Sequence, residues 1–294
     1  MIPNAPIKIR CRQITKDDLG AIVSLLGEGF PRRSLRSWQA GLARMGERAV
    51  PEATPQFGYC LDVGGTLAGV ILMIGSERGG EGVRAKITNV ASWYVKPDYR
   101  AYAHLLAAMA LKSRDTTYTN VTAAPNTWPV VEQQGYEKYC NGLFFAFAAL
   151  KRAERHVKIL EFSEAIEQIE VKALPNFKMM KRHLDWGCRV LLAEENGSLT
   201  GFVFRRFAMR GGALKLPAMF VIHGPDRSRL IRLSGNFARH FLAEAAPILV
   251  MDANGPVSGL RGLYTEKRGR KYVKGPMRPA LCDLTDTEFA VFGI

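Results

Sequence analysis

The chain has 294 residues, 47% of them hydrophobic, and a net charge of +14. With 28 Gly and 15 Pro it has neither a collagen-like nor a low-complexity composition. No run of about 18 consecutive apolar residues occurs, and Met1-Ile2-Pro3-Asn4-Ala5-Pro6 lacks a basic flank and apolar core, so neither a membrane span nor a secretory leader is expected.

Ile7 to Ile14 alternates apolar and polar residues, the pattern of a half-buried strand. Thr15 with Asp18 three residues on predicts a helix start, and Leu19, Ile22, Val23, Leu25 and Leu26 give that helix its apolar face. A basic stretch with Arg32, Arg33 and Arg36 leads to a second helix around Trp38 to Met45. Strands are expected at Phe57–Asp62 and Leu67–Ile74, joined by a Gly64-Gly65 hairpin turn. Arg84 to Val95 reads as another strand, stopped by Pro97-Asp98. Ala101 to Lys112 reads as a helix apolar nearly all round, and so buried. A strand at Thr117–Thr122, a short helix at Trp128–Gln134 with Pro129 in its first turn, and strand from Tyr136 to Leu150 complete this half.

The second half repeats the order. Val157–Glu161 is a strand, and helical segments run from Ser163 to about Trp186. Arg189–Ala193 and Leu199–Ala208 flank Asn196-Gly197, the strongest short hairpin signal. Ala213–His223 is a strand, Asp226 caps a helix to about Glu244, Pro247–Met251 is a strand, and Phe289–Phe292 is strand-like.

The two halves also echo each other in letters. Gly65-Thr66-Leu67-Ala68-Gly69 returns as Gly197-Ser198-Leu199-Thr200-Gly201, and Pro97-Asp98 returns as Pro225-Asp226. At the spacing of the Pro-Asp pair, Leu105, Ala110 and Asn126 map onto Leu233, Ala238 and Asn254. The period is that of a whole domain, not of a solenoid repeat. Two copies are therefore expected, at residues 1–152 and 153–294, with Glu154-Arg155-His156 as linker.

The positive charge is shared evenly between the copies, with a local excess at Arg261, Lys267, Arg268, Arg270, Lys271, Lys274 and Arg278 against Glu266 alone. It favours anionic partners: a phosphorylated cofactor, an acidic glycan, nucleic acid or a membrane surface. Five scattered cysteines without a CxxC read as reduced thiols of a cytoplasmic protein. The five histidines show no metal spacing, and there is no Walker loop, GxGxxG, HExxH or GxSxG.

The element order, the hairpin, and the junction Ala91-Ser92-Trp93-Tyr94-Val95-Lys96-Pro97-Asp98-Tyr99-Arg100 leading into a helix resemble the GCN5-related N-acetyltransferase superfamily. Gln133-Gln134-Gly135-Tyr136 is similar to that family's closing Gly-aromatic turn, and the stretch from Thr117 through Pro129 resembles bacterial acetyltransferase-like proteins encoded near polysaccharide biosynthesis functions. The resemblance implies an α/β (α+β) fold of two tandem domains, each a mixed, mostly antiparallel twisted sheet flanked by helices. It implies acetyl-CoA or another acyl-CoA as cofactor. The diphosphate would sit at a helix N-terminus, where amides are unpaired and the macrodipole is positive. The pantetheine arm would add to a sheet edge as an extended peptide does.

Carried over residue by residue, the family's Arg/Gln-x-x-Gly-x-Gly/Ala loop falls on Arg100, Ala101, Tyr102, Ala103, His104 and Leu105. Arg100 matches, whereas Ala103 and Leu105 place Cβ atoms where the family keeps small residues that let a phosphate approach. Trp93, Tyr94 and Val95 would line the arm. The second copy's equivalent, Arg227 to Arg232, has no glycine, which implies a degenerate cofactor site there. Acylating an amine needs a base for the ammonium and an acid for the leaving thiolate. The family's usual Tyr acid falls on Val131, so Tyr94, His104 and Glu132 are the candidate catalytic groups, with Tyr118 a further substitute and Asn89 and Ser92 able to orient an acceptor.

Three functions compete. The first is an acyl-CoA-dependent N-acyltransferase, acetyl by expectation, acting on a small-molecule or saccharide amine, with the second copy shaping the acceptor's cleft. The second is a non-catalytic binding module that keeps the fold. The third is a tandem transferase using aminoacyl-tRNA, which the basic charge suits.

Overall fold

The computed structural model describes residues 8–79, 85–211 and 214–293. It forms two compact units, Met1–Val121 with Val273–Arg278, and Thr122–Tyr272 with Pro279–Ile294. The strands are β1 (Ile9–Gln13), β2 (Gly58–Val63), β3 (Thr66–Arg78), β4 (Ala85–Val95), β5 (Thr116–Asn120), β6 (Glu137–Cys140), β7 (Gly142–Ala146), β8 (Lys158–Glu161), β9 (Arg189–Glu195), β10 (Ser198–Gly211), β11 (Leu214–His223), β12 (Ile248–Ala253), β13 (Gly262–Thr265) and β14 (Lys271–Lys274). The α-helices are α1 (Leu19–Gly29), α2 (Leu35–Gly46), α3 (Ala103–Ala110), α4 (Trp128–Gln133), α5 (Phe162–Ala165), α6 (Ile169–Lys172), α7 (Phe177–Asp185), α8 (Arg227–Leu242) and α9 (Glu288–Phe292). One seven-stranded sheet has the order β1-β2-β3-β4-β5-β14-β6, the other β13-β7-β12-β11-β10-β9-β8. Ile7, Arg84 and Ala213, expected in strands, lie outside the described residues.

In the first unit, Asp62 on β2 is buried and accepts from Arg10 at 3.1 Å and Arg12 at 2.9 Å. Arg12 also grips Asp18 at 2.7 Å, and these cations hold the Asp62 carboxyl down at about 2. The Asp18 carboxylate accepts from the Thr15 backbone N–H at 2.8 Å, so the expected cap is present. It opens a 3-10 turn (Lys16–Asp18) that runs into α1. Gly64 and Gly65 turn the β2–β3 hairpin at φ 58° and 91°, the left-handed pair that a two-residue hairpin loop requires. Ile22, Leu26, Trp38, Leu42 and Met45 of α1 and α2 are buried with the apolar strand residues of the unit.

In the second unit, β9 and β10 turn at Asn196 (φ 52°) and Gly197 (φ 74°). Asp226 caps α8, accepting from the Ser228 N–H at 2.8 Å and the Arg229 N–H at 3.2 Å. Phe202 and Phe204 of β10 pack tilted or edge-on against Phe237 and Phe241 of α8, with centroids 4.9–5.2 Å apart. All four rings are buried, and each contributes about 1.5–3 kcal/mol through its removal from water.

The succession β8-β9-β10-β11-β12 repeats that of β1-β2-β3-β4-β5: three antiparallel pairings, then one parallel pair. Three expectations are corrected. The run Tyr136–Leu150 is not one closing strand: it breaks at Asn141 into β6 and β7, which join different sheets, and ends in a 3-10 turn. Phe289–Phe292 is helical, because Thr287 precedes it in extended conformation and Gly293 ends it at φ 69°, the left-handed stop a helix favours. The segment from Ala101 is not a buried helix: a 3-10 turn over Pro97–Tyr102 precedes α3, and Ala101, Tyr102, His104 and Ala108 are exposed.

Candidate functional site

The site begins with an interrupted sheet. β4 and β5 run parallel, paired from Lys86–Thr116 to Asn89–Thr119. β5 then ends at Asn120 while β4 continues to Val95. On its other edge β4 stays paired with β3, but the register slips between Val70 and Leu72, whose partners are Tyr94 and Ala91. The extra residue is accommodated at Ser92, which sits at φ 51° without being glycine. This is a β-bulge, which bends the strand and increases its twist. The bulge and the early end of β5 leave a notch along β4 beyond Asn89.

The contacts on either side of this gap are specific. Asn89 is 1% exposed, and its Nδ2 donates to Thr119 O at 3.1 Å, pinning the last point of contact between the strands. Its amide is thus engaged with β5 rather than held ready for an acceptor. The Lys96 N–H donates to Ala68 O of β3 at 2.8 Å. Alternation along an extended strand therefore turns the Val95 backbone groups to the opposite edge, into the notch. The Trp93 Nε1 and Thr119 Oγ1 atoms are buried without a hydrogen-bond partner among the described residues. A buried polar group left in this way is costly.

Tyr94 is half-buried and packs its ring edge-on against Phe30, 6.4 Å between centroids. A Cβ on Gly29 would lie 2.4 Å from its Cγ, so α1 ends flush against this ring. Its observed contacts are therefore packing contacts. Beyond Lys96, the segment the family keeps as a glycine loop winds into the 3-10 turn. The Tyr99 N–H donates to Lys96 O at 3.0 Å and the Ala103 N–H to Arg100 O, so these two amides are already paired. Arg100 is exposed, as are Ala101 and Tyr102; Ala103 and Leu105 are half-buried. The exposed His104 directs Nδ1 to Ala101 O at 2.8 Å, which leaves Nε2 as the acceptor of the neutral ring. Lys112 and Arg114, just past α3, are exposed.

Trp93 through Leu105 thus form one continuous strand–turn–helix in the first unit, while Glu132 belongs to the second. There Glu132 accepts from the buried Tyr272 hydroxyl at 2.9 Å, an engagement that pushes the phenol upward after burial has done so. Val131 is buried in α4. Tyr118 is buried, accepts from the Ser113 N–H at 3.1 Å, and has its phenol raised by burial. The late basic cluster is smaller than its letters suggest. Lys271 is fully buried against Asp252, 2.7 Å away, and Arg270 stacks on Trp128 at 3.9 Å.

The notch suits the arm of an acyl-CoA in one respect, a strand edge past Asn89 that β5 does not cover. Its phosphate end offers Arg100 and the start of a wound turn in place of an open glycine loop. Among the described residues there is no cluster of three or more His, Cys, Asp or Glu able to hold a metal, and no helix is long and apolar enough to cross a membrane.

No family model and no curated protein matches the sequence. Solved structures do match. A conserved protein of unknown function from Enterococcus faecalis V583, described as a probable N-acyltransferase, superposes with a TM-score of 0.58 at 12% identity, covering 95% of this chain and 74% of its own. A GCN5-related N-acetyltransferase from Anabaena variabilis ATCC 29413 gives 0.59 at 10% identity, covering 90% and 72%. A GCN5-related glucosamine N-acetyltransferase region of a fungal multi-domain β-N-acetylglucosaminidase gives 0.56 at 10% identity, covering 92% of this chain and 38% of that one. With two mixed seven-stranded sheets flanked by helices, the chain has the fold of the GCN5-related N-acetyltransferases.

Proposed function

We propose that the chain is an acyl-CoA-dependent N-acyltransferase, made of two copies of one ancestral domain, whose first copy carries the acyl-CoA site. The observation that carries this reading is the notch: β4 runs on from Asn89 to Val95 without β5 beside it, bent by a bulge at Ser92. The free edge of Val95 would take the pantetheine amides as a neighbouring strand would, and Arg100 would meet the diphosphate. The group supplies an activated thioester. The chain's own residues bind and orient it and exclude water along the buried side of β4. For proton transfer, His104 is favoured over Tyr94 and Glu132. His104 is exposed and its Nε2 has no hydrogen-bond partner among the described residues, whereas the Tyr94 ring packs on Phe30 and Glu132 is held by Tyr272.

The acceptor class proposed is the amine of a small molecule, with an amino sugar first. A glucosamine N-acetyltransferase region among the structural neighbours supports that choice. A second reading, a binding module without turnover, is favoured by the wound Pro97–Tyr102 turn and by Val131. The aminoacyl-tRNA reading loses Lys271 and Arg270 from its basic cluster, since one is buried in an ion pair and the other stacked.

Calorimetric titration with acetyl-CoA tests the proposal. Binding should occur and weaken more than tenfold in Arg100→Glu, while acetyl transfer to an amino sugar separates enzyme from binding module. No heat at millimolar acetyl-CoA, together with tRNA binding that falls steeply with salt, would favour the aminoacyl-tRNA reading instead.

A further inference from the structure

The second unit contains the same interruption, and it is not empty. β11 and β12 run parallel, paired from Ala218–Ile248 to Phe220–Val250. β11 continues to His223, and its register with β10 slips between Val203 and Phe204, whose partners are His223 and Val221. A notch therefore opens on the β12 side of Ile222–Gly224, as one opens on the β5 side of β4. In the second unit the segment Cys282–Leu284 fills it through an isolated antiparallel bridge. His223 pairs with Asp283 as an antiparallel bridge. The Leu284 N–H donates to Ile222 O at 2.7 Å and the Gly224 N–H donates to Cys282 O at 3.0 Å. Because β10 already occupies the other edge of His223, Asp283 must lie on the notch edge.

The rest of the second site is closed by the same segment. Arg227, first residue of α8, does not point out toward solvent anions. Its Nη1 donates to Asp252 O at 2.9 Å and lies 3.3 Å from Cys282 Sγ. The Asp226 carboxylate takes the N–H groups of Ser228 and Arg229, the amides a phosphate would otherwise use. Cys282 and Leu284 are buried, and so is every residue from Leu284 to Glu288. Cys282 and Asp286 are non-glycine residues at φ 65° and 54°, a conformation that persists only where the surroundings hold it. Those surroundings are visible. Asp286 takes a fork from Arg182 at 2.8 Å, its N–H donates to His183 Nε2 at 3.2 Å, and Phe289 stacks on Phe220, 4.8 Å between centroids.

We propose that Cys282–Leu284 is a built-in occupant of the second notch, a bridged segment lying where an extended ligand would lie in the first, so that the second notch is closed to an acyl carrier. The closure stands on hydrogen bonds within the second unit, while the single equivalent of acyl-CoA rests on the function proposed above.

Hydrogen exchange on the full chain, with and without saturating acetyl-CoA, tests it. The Leu284 and Gly224 amides should exchange at least about 10³-fold more slowly than exposed amides, in the same class as the β10–β11 amides. Acetyl-CoA should leave their rates unchanged, and any binding should saturate at one equivalent per chain. Exchange at loop rates, a change at Leu284 or Gly224 on adding acetyl-CoA, or two bound equivalents would each overturn the proposal. Should acetyl-CoA fail to bind at all, the reading of the first notch falls, while the exchange rate of Leu284 still decides this one.

Discussion

Lowering the pH from 7.5 to 4 should loosen the second unit through one residue, His183. Its ring is completely buried on α7, and both nitrogens are committed: Nδ1 donates to Met179 O at 2.8 Å, and Nε2 accepts from the Asp286 N–H at 3.2 Å. Adding a proton would bury a charge and replace the acceptor at Nε2 with a second donor. Burial is the main reason that the imidazole is held down to about 4, against an ordinary 6.5; Asp286 and the Met179 carbonyl push the other way, while Arg182 and His223 reinforce it. With the folded value below the unfolded one, the unfolded chain binds the proton first. Stability is therefore full above pH 6.5 and falls as the pH drops toward 4. The gap of about two and a half pH units corresponds to about 3 kcal/mol, or a fall of roughly 6–12 °C in midpoint for a unit of this size. Thermal unfolding of wild type and His183→Gln across pH 4–7.5 measures it. The variant should be less stable at pH 7.5 but flatter in this window. Parallel curves for the two proteins would refute the assignment.

Two further substitutions probe packing. Gly29→Ala drives a Cβ to within 2.4 Å of the Tyr94 ring. It should cost about 1–3 kcal/mol in denaturant unfolding and weaken acetyl-CoA binding, because Tyr94 lies next to Trp93 and Val95. Gly20→Ala, on the same helix with nothing within 4 Å of its Cβ, should instead stabilise by up to about 1 kcal/mol. Lys271→Met strands the Asp252 carboxylate, which burial already drives upward, and should cost about 3–5 kcal/mol. Adding Asp252→Leu should recover most of that loss in the same unfolding assay, and no recovery would argue against a coupled pair.

The features legible in the letters are those that act over a few residues. Gly64-Gly65 and Asn196-Gly197 specify left-handed turns, and Thr15/Asp18 and Asp226 satisfy helix starts, whatever surrounds them. The features that were not legible depend on partners far along the chain. Nothing between Cys140 and Gly142 says that β6 and β7 will join different sheets, and the letters of β14 do not reveal its place between β5 and β6. Lys271 sits in a run of surface cations and looks like one of them, yet the fold sets Asp252 opposite it. Ser92 gives no warning of a left-handed backbone, since neither Gly nor Asn marks the bulge. The C-terminal occupant of the second notch had one local cue, Thr287 and Gly293 bracketing Glu288–Phe292, which identifies a helix and not the bridge at Asp283 just before it. Residue type alone does not separate Tyr94, His104 and Glu132. The fold engages Glu132 with the Tyr272 hydroxyl and packs the Tyr94 ring on Phe30, while the exposed His104 keeps Nε2 free of a hydrogen bond among the described residues.

The free edge of β4 past Asn89 is proposed to receive an extended acyl carrier. Amide exchange resolved at Trp93, Tyr94 and Val95, compared before and after addition of acetyl-CoA, measures this most directly. Val95 should slow at least about tenfold on binding, as an amide gaining a strand partner does. Binding of acetyl-CoA that leaves Val95 unchanged and protects residues elsewhere would contradict it.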